Sequence, residues 1–147
     1  MSRDGVDVMT IADRRLRRVN QRLTAGRRLL LAVLAGSDRP LTLPEILDAN
    51  TELAQSSAYR NLVVLETAEV VQRVVTGDDF TRFELTEELT GHHHHLVCES
   101  CGRVEDLAAG AALERAVSAA VDDARRRHGF RVEHHRLDFV GRCIDCA

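Results

Sequence analysis

Hydrophobic residues in the first half of the chain recur at helical spacing in short segments. The leucines and valine of RRLLLAVLAG (27–36) form one apolar side, and Thr24 is placed to cap the helix that carries them. The glycine that ends this segment, together with Pro40, is expected to stop the helix. A second, shorter helix is predicted next, because Thr42 and Glu45 have the spacing of a capping box.

The pattern continues with a third helix and then changes to that of strands. SSAYRNLVVLETAEV (56–70) carries inward leucines, and its helix is predicted to be capped by Ser56 or Ser57. VVQRVV (70–75) and FTRFEL (80–85) are β-rich and are joined by TGDD, which predicts a hairpin. Three short helices followed by a hairpin is the order of a winged helix-turn-helix.

The second half of the chain mixes strand and helix patterns. HHLVCES (94–100), RVEDL (103–107) and FRVEHHRLDFVG (130–141) are predicted as strands, and the last of them alternates apolar and polar residues. A helix is predicted at about 111–127, since the His-Gly pair at 128–129 has the chemistry of a helix C-terminus. These elements make a small α+β unit.

Histidine and cysteine are confined to the second half. All seven histidines and all four cysteines lie between His92 and Cys146. We therefore predict two modules with separate roles, residues 1–86 and 92–147, joined by a hinge at 87–91. The chain has no run of about 18 apolar residues and no visible secretory signal, so a cytoplasmic protein without a membrane span is expected. In that compartment cysteines are expected to be metal ligands or reactive thiols.

The charge is unevenly distributed. The formal net charge is −3, yet residues 1–30 contain eight arginines against three aspartates, and the chain has no lysine. A basic N-terminal arm on a mildly acidic protein indicates contact with a polyanion. The alternative is an ordinary solvated helix face, and charge alone does not decide between them.

The cysteines form two CxxC pairs with 41 residues between them. Two such pairs can complete a tetrahedral Cys₄ shell around Zn²⁺, provided that a strand–helix–strand unit lies between them. The alternative is a set of redox-active or unrelated thiols. A Cys₄ site keeps no open position for activating water, and the H-x-E signature of zinc deaminases is absent, so an enzyme is not expected.

Four consecutive histidines precede the first cysteine. If 92–97 is extended, His92 and His94 point to one face and His93 and His95 to the other, so one strand can supply two metal sites. Imidazoles with nearby carboxylates suit Zn²⁺, Fe²⁺, Mn²⁺ or Ni²⁺. The alternatives are a flexible tag-like loop or histidines that line a surface.

Several motifs together resemble the ferric uptake regulator family. RLTAGRRLLLAVL, SSAYRNLVVLETAEVV, FELT, HHHHLVCESCGRVEDL, HGFRVEHHRLDFVGRC and CIDC occur in that family's order and spacing, over roughly residues 20–146. The resemblance implies an α+β protein, in which an N-terminal winged helix-turn-helix domain binds operator DNA. It also implies a small C-terminal α/β domain that forms the homodimer and binds metal.

The resemblance further implies three ligand sets. The structural Zn²⁺, one per chain, would be held by Cys98, Cys101, Cys143 and Cys146. The regulatory metal, Fe²⁺ or Zn²⁺ with Mn²⁺ or Ni²⁺ as alternatives, would be held by Glu84, His93, His95 and Asp106. A second metal site inside the dimerisation domain would comprise His92, His94, Glu114 and His135.

The regulatory set departs from two patterns of the family. Iron- and peroxide-sensing members supply a histidine at the position of Pro40, whereas zinc-sensing members use an aspartate and a cysteine at the positions of Gln72 and Thr86. The link to the DNA-binding domain is therefore expected to rest on Glu84, helped by Gln72 or by the hinge glutamates (87–88).

The resemblance implies a metal-responsive transcriptional repressor that binds double-stranded operator DNA, with no membrane partner and no small-molecule substrate. Tyr59 and Arg60, early in the recognition helix, are expected to contact DNA, and Arg27, Arg14 and Arg15 to contact its backbone. The alternatives are a peroxide-sensing regulator of the same family, or a metal-storage or chaperone protein that does not bind DNA.

Overall fold

The computed structural model describes residues 7–147 and contains two sheets, each with helices beside it in the sequence. The first part comprises α1 (Val8–Arg18), α2 (Ala25–Ala35), β1 (Leu41–Thr42), α3 (Leu43–Ala49), α4 (Gln55–Thr67), β2 (Val71–Val75) and β3 (Thr81–Leu85). The second part comprises α5 (Glu87–Thr90), β4 (His94–Cys98), β5 (Val104–Leu107), α6 (Ala111–His128) and β6 (Asp138–Gly141).

The helices of the first part begin where local side chains satisfy backbone donors. Thr24 caps α2 by accepting from the Arg27 amide, and the predicted capping box between Thr42 and Glu45 is present at α3. The predicted cap of α4 is wrong: the N-cap is Ala54, two residues before Ser56, and the helix begins at Gln55. Ser57 Oγ donates to the Ala54 carbonyl at 3.1 Å, so this hydroxyl is not an acceptor for the first turn.

The arginine-rich arm contains a helix, α1, that was not predicted from the sequence. Asp7 caps it by accepting from the amides of Met9 and Thr10. Ala12 and Leu16 are fully buried. Residues 8–18 of the arm thus form an amphipathic helix that packs on the domain, with the arginines of this helix on its remaining sides.

The first sheet has the order β1-β3-β2, and all its pairs are antiparallel. The predicted hairpin is confirmed: β2 and β3 pair with Gln72 opposite Glu84. Helices α1 to α4 and this sheet share one hydrophobic core, which includes Leu30, Leu62 and Phe83. Within residues 7–147 the core cluster ends at Leu89, so the first domain holds most of the buried apolar side chains.

The second sheet has the order β5-β4-β6, with β4 antiparallel to β5 and parallel to β6. His95 is therefore flanked in register by Asp106 on one side and Asp138 on the other. The predicted strand at 130–141 is confirmed only for its last four residues, because only Asp138–Gly141 pair with β4 to form β6. Residues 130–137 form no strand, and His135 in this segment contacts His92.

The hairpin of β2 and β3, which forms the wing, contacts the second part of the chain at Val75 and Asp78. The Arg136 guanidinium donates to the Val75 carbonyl at 2.6 Å. Gly102 has a φ of +75°, and a Cβ there would lie 2.3 Å from Asp78 Oδ2, so the turn after β4 closely approaches the wing. No helix within the described residues is long and apolar enough to cross a membrane.

Candidate metal centres

The four cysteine sulfurs lie together, all within 4.8 Å of one another. Cys98 is at the end of β4, and Gly102, with its positive φ, turns the chain so that Cys101 faces the same point. Cys101 Sγ and Cys143 Sγ are 3.8 Å apart. Four thiolates bound to Zn²⁺ at 2.3 Å in a tetrahedron are about 3.8 Å apart, so the arrangement fits a closed Cys₄ zinc site.

The thiols of the cysteine set differ in how readily they lose a proton. The Cys143 amide donates to Cys98 Sγ at 3.4 Å, and this hydrogen bond, with those from Cys101 and Ser100, lowers the pKa of the Cys98 thiol to about 6. Hydrogen bonds with the sulfurs of Cys143 and Cys101 raise the pKa of Cys146 to about 12. Four sulfurs this close hold protons among themselves until a cation replaces them.

A second cluster joins the wing to β4. Glu84, buried in β3, lies between two imidazoles: its carboxylate oxygens are 3.1 Å from His93 Nε2 and 3.1 Å from His95 Nε2. Asp106 Oδ1 in β5 is 3.8 and 3.7 Å from the same two nitrogens. Ligands at about 2.0–2.1 Å from a tetrahedral ion are about 3.3 Å apart, so this donor set fits a divalent cation.

The charges in this cluster are strongly coupled. Burial raises the pKa of Glu84, but hydrogen bonds from His93, His95 and Gln72 outweigh that effect and lower it to about 2. The hydrogen bond to Glu84 raises the pKa of His93 to about 9, against the opposing effect of burial. Burial lowers the pKa of His95, but the hydrogen bond and the negative charge of Glu84 outweigh burial, so the net shift of this pKa is upward.

The outer nitrogen of each imidazole has its own partner. His93 Nδ1 donates to the Gly91 carbonyl at 3.1 Å, and His95 Nδ1 lies 3.4 Å from Asp138 Oδ1. Both Nε2 atoms therefore face Glu84, in the orientation that a metal ligand requires. Gln72 Nε2 donates to Glu84 Oε1 at 2.8 Å and orients the carboxylate.

The other two histidines of the run form the third cluster. His94 Nε2 is 2.8 Å from Glu114 Oε1 in α6, and His92 Nε2 is 3.3 Å from the same carboxylate. His135 Nε2 lies 3.2 Å from His92 Nε2. All four donor atoms lie within 4.8 Å of one another, so three imidazoles and one carboxylate converge on one point and fit a divalent cation.

The structure thus brings together each of the three predicted ligand sets, and the four histidines divide between two sets in the expected alternating order, although only the last two of them lie in β4. Of the three residues that were expected to assist Glu84, only Gln72 contacts it. Gln72 touches Glu84, whereas Glu87 lies 3.0 Å from His92 and Glu88 lies 3.6 Å from Arg15. Pro40 is fully buried in the first domain.

The two predicted recognition residues lie on the surface of α4. Tyr59 is 46% exposed, and Arg60 beside it is also exposed. The Arg73 guanidinium from β2 lies 6.0 Å from the Tyr59 ring centroid, while its Nε donates to Glu66 at 2.6 Å. These contacts hold the tyrosine ring at the protein surface without covering it.

The three predicted backbone-contacting arginines have different surroundings. Arg14 is exposed on α1. Arg15 is held by the Glu69 carbonyl and by Thr86. Arg27 is only 9% exposed and donates to Asn61, to Gln21 and to the Arg22 carbonyl. Its guanidinium joins α2 to α4, and a contact of Arg27 with the DNA backbone stays a prediction.

Sequence reasoning missed two residues that support the clusters. Asp138 lies beside His95 because β6 runs parallel to β4, a pairing that the sequence pattern does not specify. Arg136 reaches the wing from a segment that was expected to be a strand. The residues after 137 have a strand-like sequence that indicated β6, but no local pattern indicated that β6 pairs with β4.

Three comparisons with known proteins agree. A family model described as the ferric uptake regulator family matches residues 18–140. The peroxide-responsive repressor PerR of Staphylococcus aureus is 29% identical over 137 residues, which cover 89% of this chain and 86% of that protein.

Solved structures show the same fold. The ferric uptake regulator Fur of Helicobacter pylori, described with three functional metal binding sites, has a TM-score of 0.75 at 22% identity and covers 99% of this chain and 97% of its own. That of Pseudomonas aeruginosa with manganese has a TM-score of 0.70 at 25% identity and covers 90% and 98%. These matches confirm the fold class predicted from the sequence. The chain belongs to the ferric uptake regulator family of metal-responsive transcription regulators.

Proposed function

We propose that this protein is a metal-responsive repressor that binds operator DNA as a homodimer when a divalent cation occupies its regulatory site. The observation that carries the proposal is the position of Glu84. This carboxylate belongs to the wing of the DNA-binding domain, yet two of its three hydrogen-bonding partners, His93 and His95, belong to the second domain. A cation held by this set would connect the two domains directly.

The mechanism follows from the residues of the set. A bound divalent cation supplies the positive charge that lets two carboxylates share one site. Glu84 then holds the wing against His93, His95 and Asp106. In a dimer this fixes the separation of the two α4 helices, which must match major-groove faces about 34–36 Å apart. When the set is empty, the protein populates other domain orientations, and metal shifts that population by its differential affinity alone.

The donor chemistry supports a division between metals. Thiolates favour Zn²⁺, so we propose one structural Zn²⁺ per chain at the cysteine set. Two imidazoles with two carboxylates accept Fe²⁺ or Zn²⁺, and Mn²⁺ or Ni²⁺ are the alternatives. The aspartate and cysteine of zinc sensors are replaced here by Gln72, which orients Glu84, and by Thr86, which bonds to the Glu69 carbonyl.

The proposed DNA contacts lie on exposed residues of α4 and α1. Tyr59 can pack on a thymine methyl group, and Arg60 can form paired hydrogen bonds with guanine or bind a phosphate. Arg14 adds a salt-dependent phosphate contact. Arg15 is assigned to the protein's own hinge, because its guanidinium is already engaged there.

The test is metal analysis of untagged protein combined with an operator-binding titration. After mild chelation, mass spectrometry is expected to find about one zinc per chain. Added Fe²⁺, Zn²⁺, Mn²⁺ and Ni²⁺ are then compared for restoring binding to duplex DNA selected from random sequence. One metal that restores salt-dependent binding supports the proposal. Tight metal binding with no DNA binding under any condition would instead support a storage or chaperone protein.

A second function, peroxide sensing, is favoured by the likeness to PerR of Staphylococcus aureus, whose name describes a peroxide-responsive repressor. Some relatives sense peroxide through oxidation of a ligand histidine, and His93 and His95 are the histidines of the regulatory set here. Protein loaded with Fe²⁺ and treated with hydrogen peroxide would lose DNA binding and gain one oxygen on a peptide containing this run. Unmodified peptides and retained binding would reject peroxide sensing.

A further inference from the structure

The start of the hinge helix α5 contacts both the second metal cluster and the residues that follow the recognition helix α4. Glu87, in its first turn, places a carboxylate oxygen 3.0 Å from His92 Nδ1. Thr86, the residue before the helix, donates its hydroxyl to the Glu69 carbonyl at 3.1 Å. Two consecutive residues at the start of α5 therefore lie between a ligand set and the segment that follows α4.

The contact of Glu87 with His92 has the geometry of a carboxylate that supports a metal ligand. His92 Nε2 faces inward, 3.2 Å from His135 Nε2 and 3.3 Å from Glu114. Its other ring nitrogen is thereby left to donate to Glu87, which selects the tautomer with Nε2 free to bind a cation. Glu87 is near no donor of the regulatory set among its described contacts.

The N-cap residue of α5 is tied to the residues that follow α4. The Thr86 amide donates to the Val70 carbonyl at 3.1 Å, in addition to the hydroxyl bond to Glu69. Glu69 has a φ of +60°, so it ends the recognition helix in a defined left-handed conformation. Arg15 of α1 donates to the same carbonyl and to Thr86, and thus closes a three-way junction.

We propose that Glu87 is a positioning residue for the second metal set and that α5 transmits occupancy of this set to the recognition helix. A cation on His92, His94, Glu114 and His135 fixes the His92 ring, and Glu87 then holds α5 in place. Thr86 and Arg15 both donate hydrogen bonds to the Glu69 carbonyl, so fixing α5 also fixes the residues that follow α4. The transmission to DNA rests on the proposed function, whereas the role of Glu87 in metal binding does not.

The role of Glu87 in metal binding is tested by Co²⁺ titration of full-length, zinc-replete protein. The protein carries E84Q, which weakens metal binding at the regulatory set, so that the absorption of bound Co²⁺ reports on the second set. E87A is expected to lower Co²⁺ affinity about ten- to hundredfold, the effect seen when a supporting carboxylate is removed. E87Q retains an acceptor for His92 Nδ1 and should restore much of the loss. E88Q, one residue away, is the matched control. Equal affinity in E87A and E88Q would overturn the assignment.

The transmission half is tested by a double-mutant cycle on operator affinity at saturating metal. H135A removes a ligand of the second set without touching the hinge, and T86V removes the hydroxyl that reaches Glu69. Each single variant should weaken DNA binding about fivefold or more, which is the lower range of measured couplings between sites. If the route is correct, T86V and E87A add little in the H135A background.

Fully additive losses in this cycle would refute transmission through α5 while leaving the metal role of Glu87 intact. Absence of DNA binding by the parent protein would reject the proposed function, and the Co²⁺ titration would still test Glu87. Zinc content and far-UV circular dichroism show whether each variant is folded before it is compared.

Discussion

The carboxylate of Glu84 lies 3.1 Å from His93 Nε2, and each group shifts the proton affinity of the other in the opposite direction. The pKa of Glu84 is lowered to about 2 and that of His93 is raised to about 9. In the metal-free protein at neutral pH the two groups therefore form an ion pair between the wing and the second domain.

A first prediction follows for metal binding. A cation can bind His93 Nε2 only after that nitrogen loses its proton, so binding to the regulatory set at pH 7 should release protons. Affinity should rise as the pH increases toward about 9, the pKa of His93. Calorimetric titrations in buffers of different ionisation enthalpy measure the release directly. Binding heats that do not depend on the buffer would contradict it.

The same pair predicts how the stability of the metal-free protein depends on pH. The contribution of His93 is complete below its ordinary pKa of 6.5 and is lost as the pH rises through about 9. The contribution of Glu84 is complete above 4.5 and is lost as the pH falls toward about 2. Thermal unfolding should thus occur at lower temperature at pH 9.5 than at pH 6.5. E84Q, which removes the charge partner, should show a smaller difference.

The cysteine set is predicted to hold the second domain together. Its described buried hydrophobic residues are few (Val97, Cys98 and Val104), and α6 has no buried residue. The first domain has its own core. C143S should therefore lose the zinc and melt the second domain, because structural zinc contributes about 10 kcal/mol or more to folding in small zinc domains.

Zinc content and thermal unfolding followed by circular dichroism measure this outcome. In C143S the transition of the first domain should remain, since its core does not depend on the cysteines. S100A changes an exposed residue in the same turn and serves as the control. A fully folded C143S without zinc would show that strand pairing alone is sufficient.

Local patterns in the sequence predicted most of the elements that carry these sites. The capping box at Thr42, the hairpin and the division of histidines between two faces of β4 depend on neighbouring residues and are present. The length of β6 and the position of Asp138 were not predictable, because they depend on which strand pairs with β4 in space. The inward orientation of Arg27 likewise depends on Asn61, a residue 34 positions away.

A fourth prediction concerns the removal of Arg60, the proposed recognition arginine. R60A should weaken operator binding about tenfold or more and reduce the salt dependence by about one phosphate contact if Arg60 binds the backbone. If Arg60 instead reads guanine, the loss should be confined to one base position of the operator. Arg126, exposed on α6, provides the matched control variant R126A. Fluorescence anisotropy at several salt concentrations separates these outcomes.

Gly102 provides a fifth prediction, at the contact between the turn after β4 and the wing. G102A puts a side chain at a φ of +75° and a Cβ 2.3 Å from Asp78 Oδ2, while Arg82 holds both oxygens of that carboxylate. The left-handed conformation alone costs about 1–2 kcal/mol. The wing should separate from the turn, which would appear as faster amide hydrogen exchange at 76–80.

The neighbouring glycine of the wing offers a control for this change. A Cβ at Gly77 meets nothing within 4 Å, so G77A should leave the exchange pattern of the wing nearly unchanged. If G102A and G77A behave alike, the close approach at Gly102 has no energetic consequence. Zinc content should be measured for both variants, because Gly102 lies within the cysteine turn.

The position of β4 between two other strands restricts how the histidine run can change in evolution. Inserting one residue ahead of His95 would exchange the faces of the preceding histidines and send each to the wrong carboxylate. Inserting two would restore the faces but move those histidines one repeat along the strand, out of reach of Glu84. Relatives that keep both histidine sites should therefore keep the length of this four-residue run unchanged.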